Sequence, residues 1–473
     1  MGATLQDASP TDRFERFMSD SDGVMWTIER DPSLRSTIVA VAVLDRSPAW
    51  LRLLESIDRA ARAIPRFRQR VERAPFGLAP PRWVVERDFD LGRHVRRVVA
   101  PAPGDFGSVL DVAVESAMAG FDRRRPLWEF TLVDGLEDGR AALVQKLHHS
   151  VTDGVGAMRM ALMLYDGDRE PPERRDVPCP PEPEALTGAA LVRDSLRFTA
   201  AQAARAAAGT AAAIGAGVPR LVRDPVGTAR AGAELAASLG RVLAPVTETL
   251  SPVMRDRSTD WDYHHLEVPL DRVRAVAAHT GGTVNDVFVT AVVDGLRRYH
   301  EHHGAAVPEL LMTMPVSYRA ESDALGGNRI MPARLRVPLG GGDTAARLRQ
   351  IADRCHRWRQ EPALPVTNAL AAVLDHLHPA LTTRFFGSIL KHVDFFTTNV
   401  PGMTRPVYLA GARVDRLYAF APLMGSAVNV ALISYAGTCC IGVTTDTAAV
   451  ADPDLLLRCF AEAWDEVLGY PSA

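Results

Sequence analysis

The sequence predicts a mixed α/β protein, α+β in texture, built as two domains with a helical connector between them. Three observations predict it. The chain has 473 residues, 47% of them apolar, which exceeds what one hydrophobic core organises and suffices to fill two. Strand-like and helix-like runs alternate in both the first and the last third of the chain. Between them lies a stretch dense in proline and charge, followed by one dense in alanine, a texture that separates domains.

In chain order, residues 1–167 form the expected N-terminal domain. "STIVAVAVLD" (36–45) and "LWEFTLVDGL" (127–136) are β-branched and apolar enough for strands, while "AWLRLLESIDRAARAI" (49–64) repeats its apolar positions at helical spacing. Residues 168–257 form the connector. "DREPPERRDVPCPPEPEA" (168–185) holds too many prolines for a regular element, and the alanine-rich tract after it is helical to about residue 245. That tract is weakly amphipathic, with arginines such as Arg205, Arg220, Arg223 and Arg230; a surface-packed helix is favoured over a membrane-lying one, because only Leu221, Leu235, Leu239 and Leu243 offer bulky anchors. Residues 258–473 form the C-terminal domain, opening with the strand-like "DYHHLEVPL", the helix-like "DRVRAVAAHTG" and "TVNDVFVTAVVDGLRRYHEHHG", and the strand-like "ELLMTMPVSYR".

Charge and composition exclude some function classes. The net charge of −3 comes from acidic and basic residues interspersed along the chain, which argues against a nucleic-acid-binding surface. The five cysteines show no metal-type spacing, as expected in a reducing cytoplasm. The N-terminus lacks a basic region followed by an apolar core, and no run of about 18 apolar residues occurs, so the expectation is a protein neither secreted nor membrane-spanning. The oligomeric state is left open.

Chemistry concentrates in "LVQKLHHSVTDGVG" (143–156). "AALVQKLHH" reads as a strand and "DGVGAMRMALMLY" as a helix, so "SVTDG" is the turn that joins them. Successive side chains of a strand face opposite ways, so His148 and His149 do not both point at one ligand, and no further histidine follows at helical spacing. A metal site is disfavoured. One imidazole facing a cavity is what a general base requires, since its ordinary pKa of about 6.5 lets it take a proton near neutral pH and return it. The second histidine then faces the structure behind, and Asp153 with Gly154 shapes the turn. The pair His264–His265 lacks a following Asp-Gly and reads as part of a strand. Neither the phosphate motif of glycerophosphate acyltransferases nor Gly-x-Ser-x-Gly occurs, which disfavours those enzymes.

"HHSVTDG" matches the His-His-x-x-x-Asp-Gly motif of the CoA-dependent acyltransferase superfamily, which includes chloramphenicol acetyltransferase and the condensation domains of peptide synthetases. With "PRWVVERDFDLGRHVRRV" (81–98), "RRPLWEF" (124–130), "GGTVNDVFVTAV" (281–292), "MPVSYR" (314–319), "GGN" (326–328) and "TTNVPG" (397–402), in this order, the chain resembles the bacterial wax ester synthase/diacylglycerol acyltransferase family over nearly its whole length. The N-terminal "RFERFMSDSDGVMWTIE" follows the family pattern only loosely.

The resemblance implies two chloramphenicol acetyltransferase-like domains, related as a pseudo-dimer, with a channel between them. It implies acyl-CoA as co-substrate and no bound cofactor or metal. The acceptor it implies is diacylglycerol, giving triacylglycerol, with long-chain alcohols giving wax ester as a side activity. His149 would be the base, His148 and Asp153 would support the turn, and Asp153 would act through an arginine, with Arg319 the candidate. Gly154 and the polar groups of Thr397, Thr398 and Asn399 are candidate oxyanion donors, though "NVPG" also reads as a turn ending a strand. Asn285, Asp286 and Ser317 are candidate substrate contacts, the first two equally a helix-start motif. The alternatives are a condensation-type enzyme with another alcohol or amine acceptor, and a non-catalytic lipid-droplet or lipid-binding protein. The implied location is cytoplasmic, peripheral to a membrane or lipid droplet, with Arg93, Arg96 and Arg97 assisting contact.

Overall fold

The structure, a computed structural model, describes residues 15–171, 178–184, 186–317, 328, 330–340, 342–359 and 379–470. The first half runs α1 (Asp20–Ile28), β1 (Thr37–Leu44), α2 (Trp50–Ala63), β2 (Gln69–Glu72), β3 (Arg82–Val85), β4 (Val95–Val99), α3 (Phe106–Met118), β5 (Trp128–Asp134), β6 (Ala141–His148) and α4 (Gly154–Leu164). The connector is α5 (Gly188–Arg223) and α6 (Pro225–Leu243). The second half runs β7 (Trp261–Pro269), α7 (Leu270–Thr280), α8 (Val284–His302), β8 (Glu309–Ser317), β9 (Ile330–Pro338) and α9 (Thr344–Arg359). After the helix Pro379–Leu390 come β10 (Phe395–Val400), β11 (Tyr408–Leu409), β12 (Ala412–Phe420), β13 (Val428–Tyr435), β14 (Thr438–Asp446) and the C-terminal helix Pro453–Leu468.

Two six-stranded sheets organise these elements, in the orders β11-β12-β1-β6-β5-β4 and β7-β14-β13-β10-β8-β9. Apolar residues of α2, α3 and α4 cover the first sheet; those of α7, α8, α9 and the C-terminal helix cover the second. Every residue of β6 is buried, which explains why "AALVQKLH" reads as an almost unbroken apolar run rather than an alternating one. A third cluster joins the halves: Val24 and Ile28 of α1 and Leu34 pack with Ile389, Leu390, Val393 and Phe396.

The division expected at residue 258 does not hold for one segment. β12 leaves the second half and pairs antiparallel with β1, Val39 opposite Phe420 and Leu44 opposite Val414, so residues 408–420 extend the first sheet. Nothing local signals this, because a strand's own pattern says that it will pair and not with which strand. The crossing is tight: a side chain at Gly442 in β14 would collide with the Ala419 carbonyl of β12, and the Tyr263 and Phe420 rings stack beside it at 4.3 Å.

The connector is helical as expected and breaks at Asp224, whose carboxylate accepts from the Gly227 amide to cap α6, with Pro225 at the first turn. Its first turns are fastened to the first half. The buried Arg82 guanidinium donates to Glu184 at 2.5 Å and to Asp194 at 2.8 Å, and Phe17 stacks on Phe198. The side chains of Leu221, Leu235, Leu239 and Leu243 lie outside the described residues. No helix among the described residues is long and apolar enough to cross a membrane.

Candidate active site

The two histidines part where β6 ends. His148 is the last strand residue, and His149 opens a short 3-10 turn, His149–Val151, that delivers the chain to α4. His148 is fully buried. The Ser150 amide donates to its Nδ1 at 3.0 Å, so the proton sits on Nε2, which donates to Glu29 Oε2 at 3.0 Å. Glu29 also accepts from Arg123 at 3.0 Å and from the Ser36 amide at 3.2 Å. Burial opposes its charge, but His148, the Ser36 amide and Arg123 together outweigh that and hold its carboxyl at about 2. Glu29 ends the loosely matching "RFERFMSDSDGVMWTIE" and belongs to no motif of its own; a carboxylate more than a hundred residues before its histidine gives no local signal.

His149 faces the second half. Its Nδ1 lies 2.8 Å from Asn328 Oδ1, while Asn328 Nδ2 donates to the His149 carbonyl at 2.7 Å and to Asp22 Oδ1 at 2.5 Å. Burial holds the His149 ring below the ordinary imidazole range, against the opposing pull of Asp153, its own carbonyl and Asn328. It is therefore neutral at neutral pH. Asn328 and Asp22 are both 1% exposed, and burial pushes the Asp22 carboxyl up to about 6 despite hydrogen bonds from Ser19 and Asn328 and the charge of Arg66. Asn328 ends "GGN" and Asp22 lies inside the loosely matching N-terminal stretch, and neither has a local pattern that signals its partner.

Asp153 is the N-cap of α4, its carboxylate accepting from the Gly156 amide at 2.8 Å. The arginine proposed to brace it, Arg319, lies outside the described residues. Gly154 is glycine for want of space: a Cβ there would sit 2.7 Å from Val400 Cγ2 at the end of β10. That contact brings Val400, within "TTNVPG", to the motif. Val400 and Thr398 share one face of β10, whereas Thr397 and Asn399 share the other, where Thr397 Oγ1 contacts Met312 Sδ at 3.5 Å. Strand alternation thus separates the three candidates: Thr398 is on the side of Gly154, and Thr397 and Asn399 are not.

Asn285 and Asp286 open α8. Asp286 forms a capping box with Thr283, accepting from its amide and hydroxyl at 2.8 Å, and Asn285 Nδ2 contacts Met314 Sδ at 3.6 Å. The helix-start reading is the one these contacts support. Ser317 ends β8 opposite Ile330, with its side chain outside the described residues. Trp128 is fully buried, donates to the Phe67 carbonyl at 2.9 Å and stacks on His94, as packing requires. His264 and His265 lie within β7.

The motif thus forms a turn capped by Asp153, with His149 bonded to an amide that arrives from the other half of the chain. Residues 18–288 match the wax ester synthase/diacylglycerol acyltransferase catalytic domain, and residues 326–467 match the C-terminal domain of the same family. The chain belongs to this family. A Mycobacterium tuberculosis protein named as a diacylglycerol O-acyltransferase is 35% identical over 464 residues, 98% of this chain and 94% of its own. The wax ester synthase/diacylglycerol acyltransferase from Marinobacter aquaeolei VT8 superposes with a TM-score of 0.63 at 21% identity, covering 95% of this chain and 98% of that one. A starter condensation domain of rhizomide synthetase, solved in complex with C8-CoA, superposes with a TM-score of 0.57 at 12% identity, covering 95% and 94%. The expected fold is thereby the observed one, and membership in the wax ester synthase/diacylglycerol acyltransferase family makes the protein an acyltransferase.

Proposed function

We propose that the protein moves a long-chain acyl group from acyl-CoA to the hydroxyl of diacylglycerol, giving triacylglycerol and free CoA, with long-chain alcohols giving wax esters as a side activity. The observation that carries this reading is the His149 ring, neutral, with Nδ1 engaged by Asn328 and Nε2 left as the basic nitrogen. His149 Nε2 takes the proton of the acceptor hydroxyl as its oxygen attacks the thioester carbonyl. The tetrahedral intermediate then expels the CoA sulfur, which takes the same proton from His149. Removing the site from water favours both transfers, because a free hydroxyl is a poor nucleophile near neutral pH. The Gly154 amide at the start of α4 and the Thr398 hydroxyl, on the face of β10 that carries Val400, are the donors proposed for the developing oxyanion. The roles of His148, Glu29 and Asp153 are to hold the turn that presents His149.

The acceptors are insoluble in water, so the protein works as a peripheral protein of a cytoplasmic membrane or lipid-droplet surface. Arg93, Arg96 and Arg97 are about half exposed, but each faces a carboxylate, of Asp90, Glu129 and Asp134 respectively, so apolar surface such as Val99, 76% exposed, contributes more than these charges. High-salt or carbonate washing should release it.

The decisive experiment supplies one acyl-CoA with diacylglycerol and a long-chain alcohol in competition and follows CoA release and both products. Triacylglycerol as the main product is expected. Exclusive wax ester formation overturns the acceptor assignment, and no CoA release with any alcohol overturns the enzymatic reading in favour of lipid binding.

A further inference from the structure

We infer that Asn328 is a positioning residue that selects the tautomer of the His149 base, that Asp22 selects the orientation of Asn328, and that the base is therefore assembled from both halves of the chain. The inference rests on the reading of His149 as the base and adds what makes it one. A neutral imidazole carries one proton on either nitrogen, and the two forms are close in energy, so a base that must present Nε2 as a lone pair needs a partner that commits the proton to Nδ1.

The hydrogen-bond pattern leaves one assignment. The Asp22 carboxylate and the His149 carbonyl are acceptors here, and both lie against one end of the Asn328 amide, at 2.5 and 2.7 Å. That end must be the NH2 group. The Asn328 main-chain amide donates to the same Asp22 Oδ1 at 3.1 Å, which seats the residue on α1. The other end, Oδ1, then faces His149 Nδ1 at 2.8 Å, and a carbonyl oxygen can only accept. The proton is on Nδ1. The flipped amide would set its oxygen against two other oxygens, two unfavourable contacts around an amide nearly closed to water.

The arrangement crosses the molecule. Asp22 and His149 belong to the first half, and Asn328 arrives from the second, 179 residues beyond the histidine. The Ser21 hydroxyl adds a longer contact to the Asn328 carbonyl at 3.4 Å. Seating of the second half against α1 thus sets the proton position on a ring that the first half supplies.

The test compares Asn328→Ala, Asp22→Leu and Asp22→Asn in the full chain, reading steady-state CoA release, thermal unfolding, and the tautomer of His149 by long-range proton–nitrogen NMR on histidine-labelled protein, with His149→Gln identifying the signal. Asn328→Ala should lower kcat by roughly 10- to 100-fold with KM for acyl-CoA little changed, and should convert the His149 signal from the Nδ1-protonated form toward the Nε2-protonated one. Asp22→Leu should do the same by freeing the amide to turn, and Asp22→Asn, whose own carbonyl still accepts, should recover much of that loss. Retention of the Nδ1-protonated signal in Asn328→Ala overturns the inference, as does a fall in kcat that only follows the loss of folded protein. If the wild type releases no CoA with any acceptor, the functional reading fails, whereas the NMR comparison still decides the tautomer.

Discussion

The chain carries two His-His pairs, and their surroundings differ where chemistry would need them to. His264 and His265 lie within β7, where the period of two sends one ring toward Thr445 Oγ1, at 3.3 Å, and the other, exposed, to the edges of Phe106 and Tyr418. The His264 side chain is mostly buried and that of His265 lies at the surface. His148 and His149 straddle the end of β6, so alternation still separates the rings, but the turn gives each its own polar network: Glu29, Ser150 and the charge of Arg123 behind one, Asn328 and Asp22 beside the other. The difference teaches that a backbone break beneath a histidine pair, with distant carboxylates that meet it, gives the two rings separate polar surroundings.

The widest expected gap lies between His149 and everything else. His149→Ala should lower turnover by roughly 100- to 10,000-fold in a normally folded protein, measured as steady-state CoA release beside thermal unfolding. Near wild-type turnover would remove His149 from the mechanism. The pH profile of the wild type sharpens the point. A base whose pKa lies below the ordinary imidazole value stays deprotonated across neutral pH, so kcat should be flat there and fall only as pH drops below about 6.5 and His149 takes up a proton.

Gly154→Ala comes next. Its Cβ meets Val400 Cγ2, so either β10 or the turn must shift, destabilising the protein by about 1–3 kcal/mol and lowering activity with it. Adding Val400→Ala should restore part of both; no recovery in the double variant would show that the glycine is needed for some reason other than space. Behind the first ring, Glu29→Ala leaves His148 and Arg123 without their shared acceptor and should cost about 1–3 kcal/mol in denaturant unfolding, with a partial loss of activity. The sign of its pH dependence follows from the lowered pKa. The stabilisation from Glu29 is fully present above its ordinary value of 4.5 and is lost as pH falls toward about 2, so wild type and variant should converge in stability in acid. Convergence at high pH instead would contradict the pairing.

The smallest effect belongs to the control pair. His264→Ala and His265→Ala should leave kcat within about twofold of wild type, in the same CoA-release assay, since the contacts of both rings lie within the sheet surroundings of β7 rather than with the turn at His149. A large loss there would erase the distinction between the two pairs.

Local chemistry was legible because it obeys local rules. The strand–turn–helix around residues 141–164, the strand at β7, the helix start at Thr283–Asp286 and the helical connector each follow from periodicity and capping within a dozen residues. Strand alternation says only that one ring of the motif faces away from the other, and the choice of His149 as base came from the family resemblance. What sequence alone left undecided is nonlocal. The exit of β12 to the first sheet, the Val400 contact that makes Gly154 necessary, and the separation of Thr398 from Thr397 and Asn399 depend on which strands lie side by side. Glu29, Asp22 and Asn328 are single polar residues in unremarkable surroundings along the chain, and folding brings them to two adjacent rings. The sequence by itself thus determined the elements, the motif and the family, since these rest on spacing along the backbone. Only the tertiary structure decided which polar groups meet each histidine ring, because a hydrogen bond is set by distances of about 3 Å in space, whatever the separation in sequence.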